Sequence, residues 1–214
     1  MDRITKIEDV QHGLQELLKQ DQNLVPVARR AGSPPLRLQK PGFEGLARII
    51  IGQQVSRASA SAIHARFIEQ ISPQTPDAFL KAGEAVWIAI GLSRAKQNTL
   101  SNLSEAILAG NLLIDNLTDM PAQDALNQLT TLKGIGPWTA EVYLLFSVGH
   151  PDIFPAGDLA LQEGIRHAFN LQERPNEKET RNIAEKWKPL RGIAARLFWS
   201  YYGVIRNGQD ALPL

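Results

Sequence analysis

A short glycine- and proline-rich break interrupts an otherwise helical stretch in the second half of the chain. The break covers residues 132–137 (Leu-Lys-Gly-Ile-Gly-Pro), and helical spacing resumes at Trp138. Gly134 and Gly136 permit close backbone approach, and Pro137 suits the first position of a helix. The free N–H groups at a helix start favour an anion ahead of it. The pattern therefore predicts a helix-hairpin-helix that holds a nucleic-acid backbone through main-chain amides.

The Gly134-Ile135-Gly136 sequence departs from both common nucleotide-binding loops. It lacks the Lys-Ser/Thr pair of a P-loop, and Thr139 stands where a dinucleotide fingerprint has its third glycine. A plain tight turn between helices explains a bare Gly-x-Gly as well as phosphate binding does. The wider pattern, with leucines before the glycines and Thr139 and Ala140 after them, favours the helix-hairpin-helix.

Apolar residues recur at helical spacing almost throughout, with no sustained two-residue alternation. The sequence therefore predicts an all-α, two-lobed fold. We expect a central helical bundle at residues 43–148, with the helix-hairpin-helix at 126–147 inside it. Residues 1–42 and 149–214 are expected to form a second helical lobe, with an active-site cleft between the lobes.

One helix in the first half of the chain carries signals for both of its ends. Asp77 precedes an apolar run and is predicted to cap the start of the helix, and Gly91 is predicted to close it. This helix is expected to serve as scaffold.

Composition narrows the function classes. The chain has 214 residues, no cysteine, and four histidines without metal-ligand spacing, so neither zinc nor iron-sulfur chemistry is suggested. It has no long apolar run that could span a bilayer, and its first residues do not resemble a secretion signal. We expect a globular intracellular protein of the cytoplasm and nucleoid, or of the nucleus in a eukaryote.

Charge is nearly balanced, at +1 overall, so a surface for a polyanion has to come from local asymmetry. The stretch from 185 to 206 has a single acidic residue against the basic residues Lys186, Lys188, Arg191, Arg196 and Arg206. This stretch fits a solvated helix face better than a phosphate-binding stripe.

Several motifs together resemble the helix-hairpin-helix (HhH-GPD) superfamily of DNA glycosylases, and most closely the 3-methyladenine DNA glycosylase II family. The segments that match in order and approximate spacing are residues 51–56, 91–96, the hairpin, the loop ending at Asp158, and residues 187–199. The β-rich N-terminal domain of some members is missing, so the chain resembles a compact member.

The resemblance implies a monofunctional DNA glycosylase that hydrolyses the N-glycosidic bond of alkylated purines, of the 3-methyladenine and 7-methylguanine type. It would act on duplex DNA by base flipping and initiate base excision repair. Asp158 matches the catalytic aspartate, and a carboxylate beside the deoxyribose can stabilise the developing cation and orient the attacking water. Without the match, Asp158 is most simply a helix N-cap, and the two roles are compatible.

Position 138 separates two mechanisms within the superfamily. Bifunctional members place a nucleophilic lysine at Gly-x-Gly-x-Lys, where this chain has Trp138, so the resemblance implies no AP-lyase activity. Lys133 is out of register with that nucleophile and fits a phosphate contact or a solvated charge.

Trp138 and Trp199 match aromatic positions of the family's base pocket. A π-face attracts a cationic alkylated base by roughly 0.5–2 kcal/mol. A tryptophan taken alone is more simply packed core. Val142 stands where an aromatic residue can occur in relatives. We therefore expect fewer aromatic rings in the base pocket of this chain.

The resemblance also assigns the DNA contacts. They are Gly134, Gly136, Lys133, Thr139, Gln53 and Gln54, with Gln54 at the position that fills the gap left by a flipped base. Main-chain carbonyls of Thr130, Leu132 and Ile135 would hold a structural Na⁺ or K⁺, and no cofactor is required. Double-stranded DNA with damaged bases is the implied partner, and a monomer is expected.

Two alternatives remain at the level of sequence. A helix-hairpin-helix can serve a DNA-binding protein without catalysis. The chain can also be a glycosylase for deaminated bases, uracil or hypoxanthine, although the absence of cysteine excludes the members that carry an iron-sulfur cluster.

Overall fold

The computed structural model describes residues 3–206, 208 and 211–213, and its regular secondary structure within these ranges is entirely helical. The α-helices are α1 (Ile7–Gln20), α2 (Val25–Ala31), α3 (Phe43–Gly52), α4 (Arg57–Gln70), α5 (Pro76–Ile90), α6 (Arg94–Leu108), α7 (Ala122–Thr130), α8 (Pro137–Phe146), α9 (Leu159–Ala168), α10 (Glu177–Ala184) and α11 (Arg191–Ile205). Short 3-10 helices lie at Gln22–Leu24, Ile114–Thr118 and Glu185–Trp187. The predicted all-α class is confirmed. Among the described residues, no helix is long and apolar enough to cross a membrane.

The ends of α5 show how local chemistry fixes a helix. The Thr75 hydroxyl accepts the Ala78 N–H at 3.3 Å, and Pro76 occupies the first helical position. The prediction that Asp77 caps this helix is wrong, because the capping oxygen comes from Thr75 and Asp77 lies inside the first turn, paired with Lys81 at 2.7 Å. Gly91 closes the helix in the left-handed conformation, with φ of 94°, as predicted.

The chain divides into two compact units, and the division falls inside α8, between Tyr143 and Leu144. The first unit takes the described residues up to Leu38 and those from Leu144 onward. Its centre is α11, which packs against α1, α2 and α9. Trp187 and Trp199 are fully buried in this unit, so two of the largest side chains in the chain form its core.

The second unit covers Gln39–Tyr143. The short helix α3 lies at its centre, because its apolar residues from Leu46 to Ile51 are buried and it packs against both α4 and α6. A group of aromatic rings fills the space beside it: Phe79 stacks on Trp87 at 4.7 Å and contacts Phe43 and Phe67. The loop that leaves α3 and the hairpin before α8 both belong to this unit.

The basic stretch from 185 to 206 is largely engaged inside the first unit. Arg196 is fully buried: its guanidinium donates to the carbonyls of Leu36 and Leu145 and lies 4.5 Å from the ring centre of Phe146. Burial lowers the pKa of Arg196 to about 10. The Arg191 guanidinium forms two hydrogen bonds to the Asp152 carboxylate. The expectation of a solvated helix face is therefore wrong for Arg196, because charge counting along a sequence does not show which cations find internal acceptors.

Candidate active site

Asp158 caps the start of α9. Its Oδ1 accepts the N–H of Ala160 at 2.9 Å and the N–H of Leu161 at 3.1 Å. The N-cap interpretation of this residue is thereby confirmed. The two hydrogen bonds fix the orientation of the carboxylate, and the residue is half-buried.

The loop before Asp158 is a tight, internally bonded turn. The N–H of Ala156 donates to the Phe154 carbonyl at 2.7 Å, and the N–H of Asp158 donates to the Pro155 carbonyl at 2.9 Å. From inside α9, the buried Gln162 amide donates to the Ala156 carbonyl at 2.9 Å. These contacts fix the backbone on both sides of the carboxylate, so its position does not depend on its own hydrogen bonds alone.

Trp199 of α11 provides a third donor to the same carboxylate oxygen. Its indole Nε1 lies 3.0 Å from Asp158 Oδ1. The ring is fully buried and packs against Phe146, with 5.5 Å between the ring centres. Nothing in the sequence signals this hydrogen bond, because the two residues are 41 positions apart and on different helices. The base-pocket role expected for Trp199 stays a prediction.

The hairpin glycines have different surroundings. Gly134 has φ of 97°, and a Cβ placed on it would lie 2.0 Å from the Thr99 hydroxyl of α6. A Cβ on Gly136 would meet nothing within 4 Å. Gly134 is therefore needed for the fold of the turn, whereas Gly136 leaves an open surface at the start of α8.

Three further predicted residues lie around this turn. Lys133 is exposed and Trp138 is partly buried. Thr139 is 3% exposed, and its hydroxyl accepts the Gln53 side-chain amide at 2.8 Å. The structure thus brings Gln53 and Thr139 together inside the second unit, a pairing that their sequence separation does not reveal.

Gln54, the expected gap-filling residue, follows at the surface of the same loop. It is exposed and adopts a left-handed conformation with φ of 54°. A residue other than glycine seldom adopts this conformation, and functional sites often account for it. The sequence could not reveal it, because glutamine carries no signal for positive φ.

The carbonyls expected to hold a monovalent cation lie at the end of α7, for Thr130, and in the turn before Gly136, for Leu132 and Ile135. The Leu132 carbonyl accepts the Ile135 N–H at 3.0 Å, which leaves it a second lone pair for a cation. Main-chain oxygens suit a hard cation, so the donor chemistry fits. The described residues include no cluster of His, Cys, Asp and Glu that could hold a metal.

Comparison with known proteins places this geometry in context. Residues 47–189 match the sequence model of the HhH-GPD superfamily of base excision DNA repair proteins. The chain is 30% identical over 166 residues to DNA-3-methyladenine glycosylase 1 of Schizosaccharomyces pombe, covering 75% of this chain and 72% of that protein.

Solved structures show the same similarity. A DNA-3-methyladenine glycosidase from Bacillus halodurans aligns with a TM-score of 0.81 at 26% identity, covering 93% of each chain. The Schizosaccharomyces pombe 3-methyladenine DNA glycosylase in complex with abasic DNA aligns with a TM-score of 0.75 at 28% identity, covering 86% of this chain and 91% of that one.

Proposed function

Because the chain belongs to the HhH-GPD superfamily of base excision DNA repair proteins, we propose that it is a monofunctional glycosylase for alkylated purines in duplex DNA. It removes 3-methyladenine and 7-methylguanine and so initiates base excision repair. The observation that carries this proposal is the half-buried Asp158 carboxylate, held by two main-chain N–H groups and the Trp199 indole. The printed names of the relatives support the substrate class.

The chemistry assigned to Asp158 is electrostatic and basic. As the N-glycosidic bond breaks, its electron pair leaves with the base, which discharges the positive charge of an N-alkylated purine. Positive charge then develops on the deoxyribose, and a nearby carboxylate stabilises it. A water oxygen forms the new bond to the sugar carbon, and Asp158 accepts the proton that the water loses. No separate acid is needed, because the cationic base is already a good leaving group.

The hairpin and the loop after α3 are assigned to DNA binding. The amides of Gly134 and Gly136 meet phosphate oxygens, with the exposed Lys133 beside them, and these contacts are independent of sequence. Trp138 offers its ring to the extruded base, and Gln54 fills the gap in the duplex. Extrusion costs a few kcal/mol, less for a damaged base, which contributes to selection.

Two of the predicted residues receive an indirect role. The hydroxyl of Thr139 and the amide of Gln53 bond to each other, which supports positioning of the loop more than contact with DNA. The full burial of Trp199 likewise supports a role in holding Asp158 more than direct stacking on a base. The proposed enzyme is a monomer without a required cofactor, and a Na⁺ or K⁺ at the hairpin carbonyls would only strengthen phosphate binding.

Trp138 at the position of the lyase nucleophile supports the absence of strand cleavage. We expect the product to be an intact abasic site. Duplex DNA incubated with the enzyme should show breaks only after alkali or heat. Breaks formed at neutral pH by the purified protein, and lost in a catalytically dead variant, would contradict a monofunctional mechanism.

The function is tested by measuring free base released from defined duplexes. Duplex DNA treated with dimethyl sulfate supplies 3-methyladenine and 7-methylguanine, and oligonucleotides with one uracil or one hypoxanthine supply the deaminated alternatives. We expect release of the methylated purines by the parent and a large loss in Asp158→Asn. Salt-dependent retention of DNA without release of any base would favour a binding protein instead. Selective release of uracil or hypoxanthine would favour the deaminated-base alternative.

A further inference from the structure

A lysine is buried inside the second unit, and its hydrogen bond goes to a main-chain carbonyl. Lys96, in the first turn of α6, is 8% exposed, and its ammonium donates to the main-chain carbonyl of Ile51 at 2.7 Å. Burial lowers the pKa of this lysine from its usual value. A buried cation is costly, and the first turn of a helix is electrostatically unfavourable for it. The contact with Ile51 therefore calls for an explanation.

The Ile51 carbonyl is one of the last in α3, where no helical N–H is available to it. The chain leaves the helix directly afterwards, at Gln53, which has φ of −59° and ψ of 132°. A charge-assisted hydrogen bond is about twice as strong as a neutral one. Lys96 thus fixes the point at which the loop 53–55 leaves α3.

A second contact fixes the same loop two residues later. The Gln53 side chain donates to the hydroxyl of Thr139, which is buried in α8. The next residue, Gln54, is exposed and adopts the left-handed conformation. Both anchors therefore lie directly before the residue that the proposed function assigns to the gap in the duplex.

We propose that Lys96 is a positioning residue that, together with the Gln53–Thr139 contact, holds loop 53–55 so that Gln54 enters the DNA when a base is extruded. This inference rests on the proposed base-excision function and extends it to residues that touch no DNA. Lys96 acts on extrusion of the base, and the cleavage of the glycosidic bond does not depend on it.

The test compares one lesion in two settings. A strand with a single guanine, methylated at N7 with dimethyl sulfate, is annealed either to a full complement or to one that lacks the opposite nucleotide. In the second duplex the lesion is bulged and needs little extrusion. Release of 7-methylguanine is measured under single-turnover conditions for the parent, Lys96→Met and Gln54→Ala.

We expect Lys96→Met and Gln54→Ala each to be on the order of tenfold slower on the paired lesion and within about twofold of the parent on the bulged one. The double variant should be no slower than the slower single variant, because both changes affect one step. Lys81→Met, which removes an exposed lysine from α5, is the matched control and should leave both rates unchanged.

Equal losses on the paired and bulged lesions, or no loss on either, would overturn the positioning role while the proposed function stands. Gln53→Leu removes the second anchor and leaves the buried lysine in place, so it provides the same comparison if Lys96→Met does not fold. Absence of release by the parent from both substrates would instead refute the proposed function, and the inference with it.

Discussion

The indole N–H of Trp199 donates to Oδ1 of Asp158 at 3.0 Å, the oxygen that also caps α9. One oxygen atom thus receives three donors from two helices, and the orientation of the carboxylate is set before any substrate binds. A carboxylate held in this way needs no reorganisation when positive charge develops on a sugar, which is how preorganised groups lower a barrier.

Trp199→Phe removes this hydrogen bond and keeps an aromatic ring at the site, at the cost of a smaller side chain in a fully buried position. We expect the rate of base release to fall about tenfold, because a hydrogen bond to a charged group is worth roughly 1.5–3 kcal/mol and part of that holds Asp158 in place. Single-turnover release from duplex DNA measures the rate, and thermal unfolding measures the stability.

Trp187→Phe is the matched control for this change. Trp187 is equally buried, and its indole donates to a different carboxylate, Asp21, at 2.9 Å. We expect a similar loss of stability and an unchanged rate once the protein is folded. Similar rate losses in the two variants would show that Trp199 acts only through the stability of the core.

Asp158→Asn separates the cap from the charge. Asparagine is also a good N-cap, so we expect the unfolding temperature to stay close to that of the parent. The rate of base release should fall on the order of 10²–10³-fold, because the stabilising charge is gone. Affinity for duplex DNA, measured by fluorescence anisotropy, should be retained. Full activity in this variant would end the catalytic assignment.

The sequence predicted those features that local patterns encode. The all-α class follows from apolar spacing, and the end of α5 follows from Gly91. It did not predict which side chain caps α5 or which tertiary contacts form. Thr75 and Asp77 both lie near the start of that helix, and only the structure shows which oxygen faces its free N–H groups. In the same way, the composition around Arg196 predicts a surface charge, yet its acceptors are main-chain carbonyls of residues more than 50 positions away.

Gly134→Ala and Gly136→Ala should differ in their effects on folding. At Gly134 the added methyl group meets Thr99 and the left-handed backbone, so we expect a loss of at least about 2 kcal/mol in the free energy of unfolding. At Gly136 the methyl group has open space, so stability should change by less than about 0.5 kcal/mol.

DNA binding gives the second comparison for these glycines. If the bare backbone of Gly136 meets a phosphate, as proposed, Gly136→Ala should weaken binding to every duplex to a similar extent, independent of sequence. Urea unfolding and anisotropy titrations measure the two quantities. Unchanged stability in Gly134→Ala would contradict the close packing of the turn against α6.

His150 is expected to make the first unit sensitive to acid. Its Nδ1 accepts the N–H of Asp152 at 3.0 Å, so the ring has to be unprotonated there. Burial, with the charge of Arg3 and of Arg191 adding to it and that of Asp152 opposing it, lowers the pKa of His150 to about 4 from the usual 6.5. The unfolded chain therefore takes up the proton first as the pH falls. The contribution of the neutral ring to stability is complete above pH 6.5 and is lost between 6.5 and about 4.

The expected loss across this window is roughly 3 kcal/mol in the free energy of unfolding. His150→Asn keeps an acceptor near Nδ1 but cannot be protonated in this range, so from pH 7 to pH 4.5 it should lose less stability than the parent. The loss that remains includes the contribution of His64, whose pKa burial also lowers. Urea unfolding at several pH values measures the difference, with His12→Asn, a change at an exposed histidine of α1, as the control. The asparagine side chain offers the Asp152 N–H an oxygen that is not protonated in this range. If the free energy of unfolding falls equally with pH in the parent and in His150→Asn, the acid sensitivity belongs to another group.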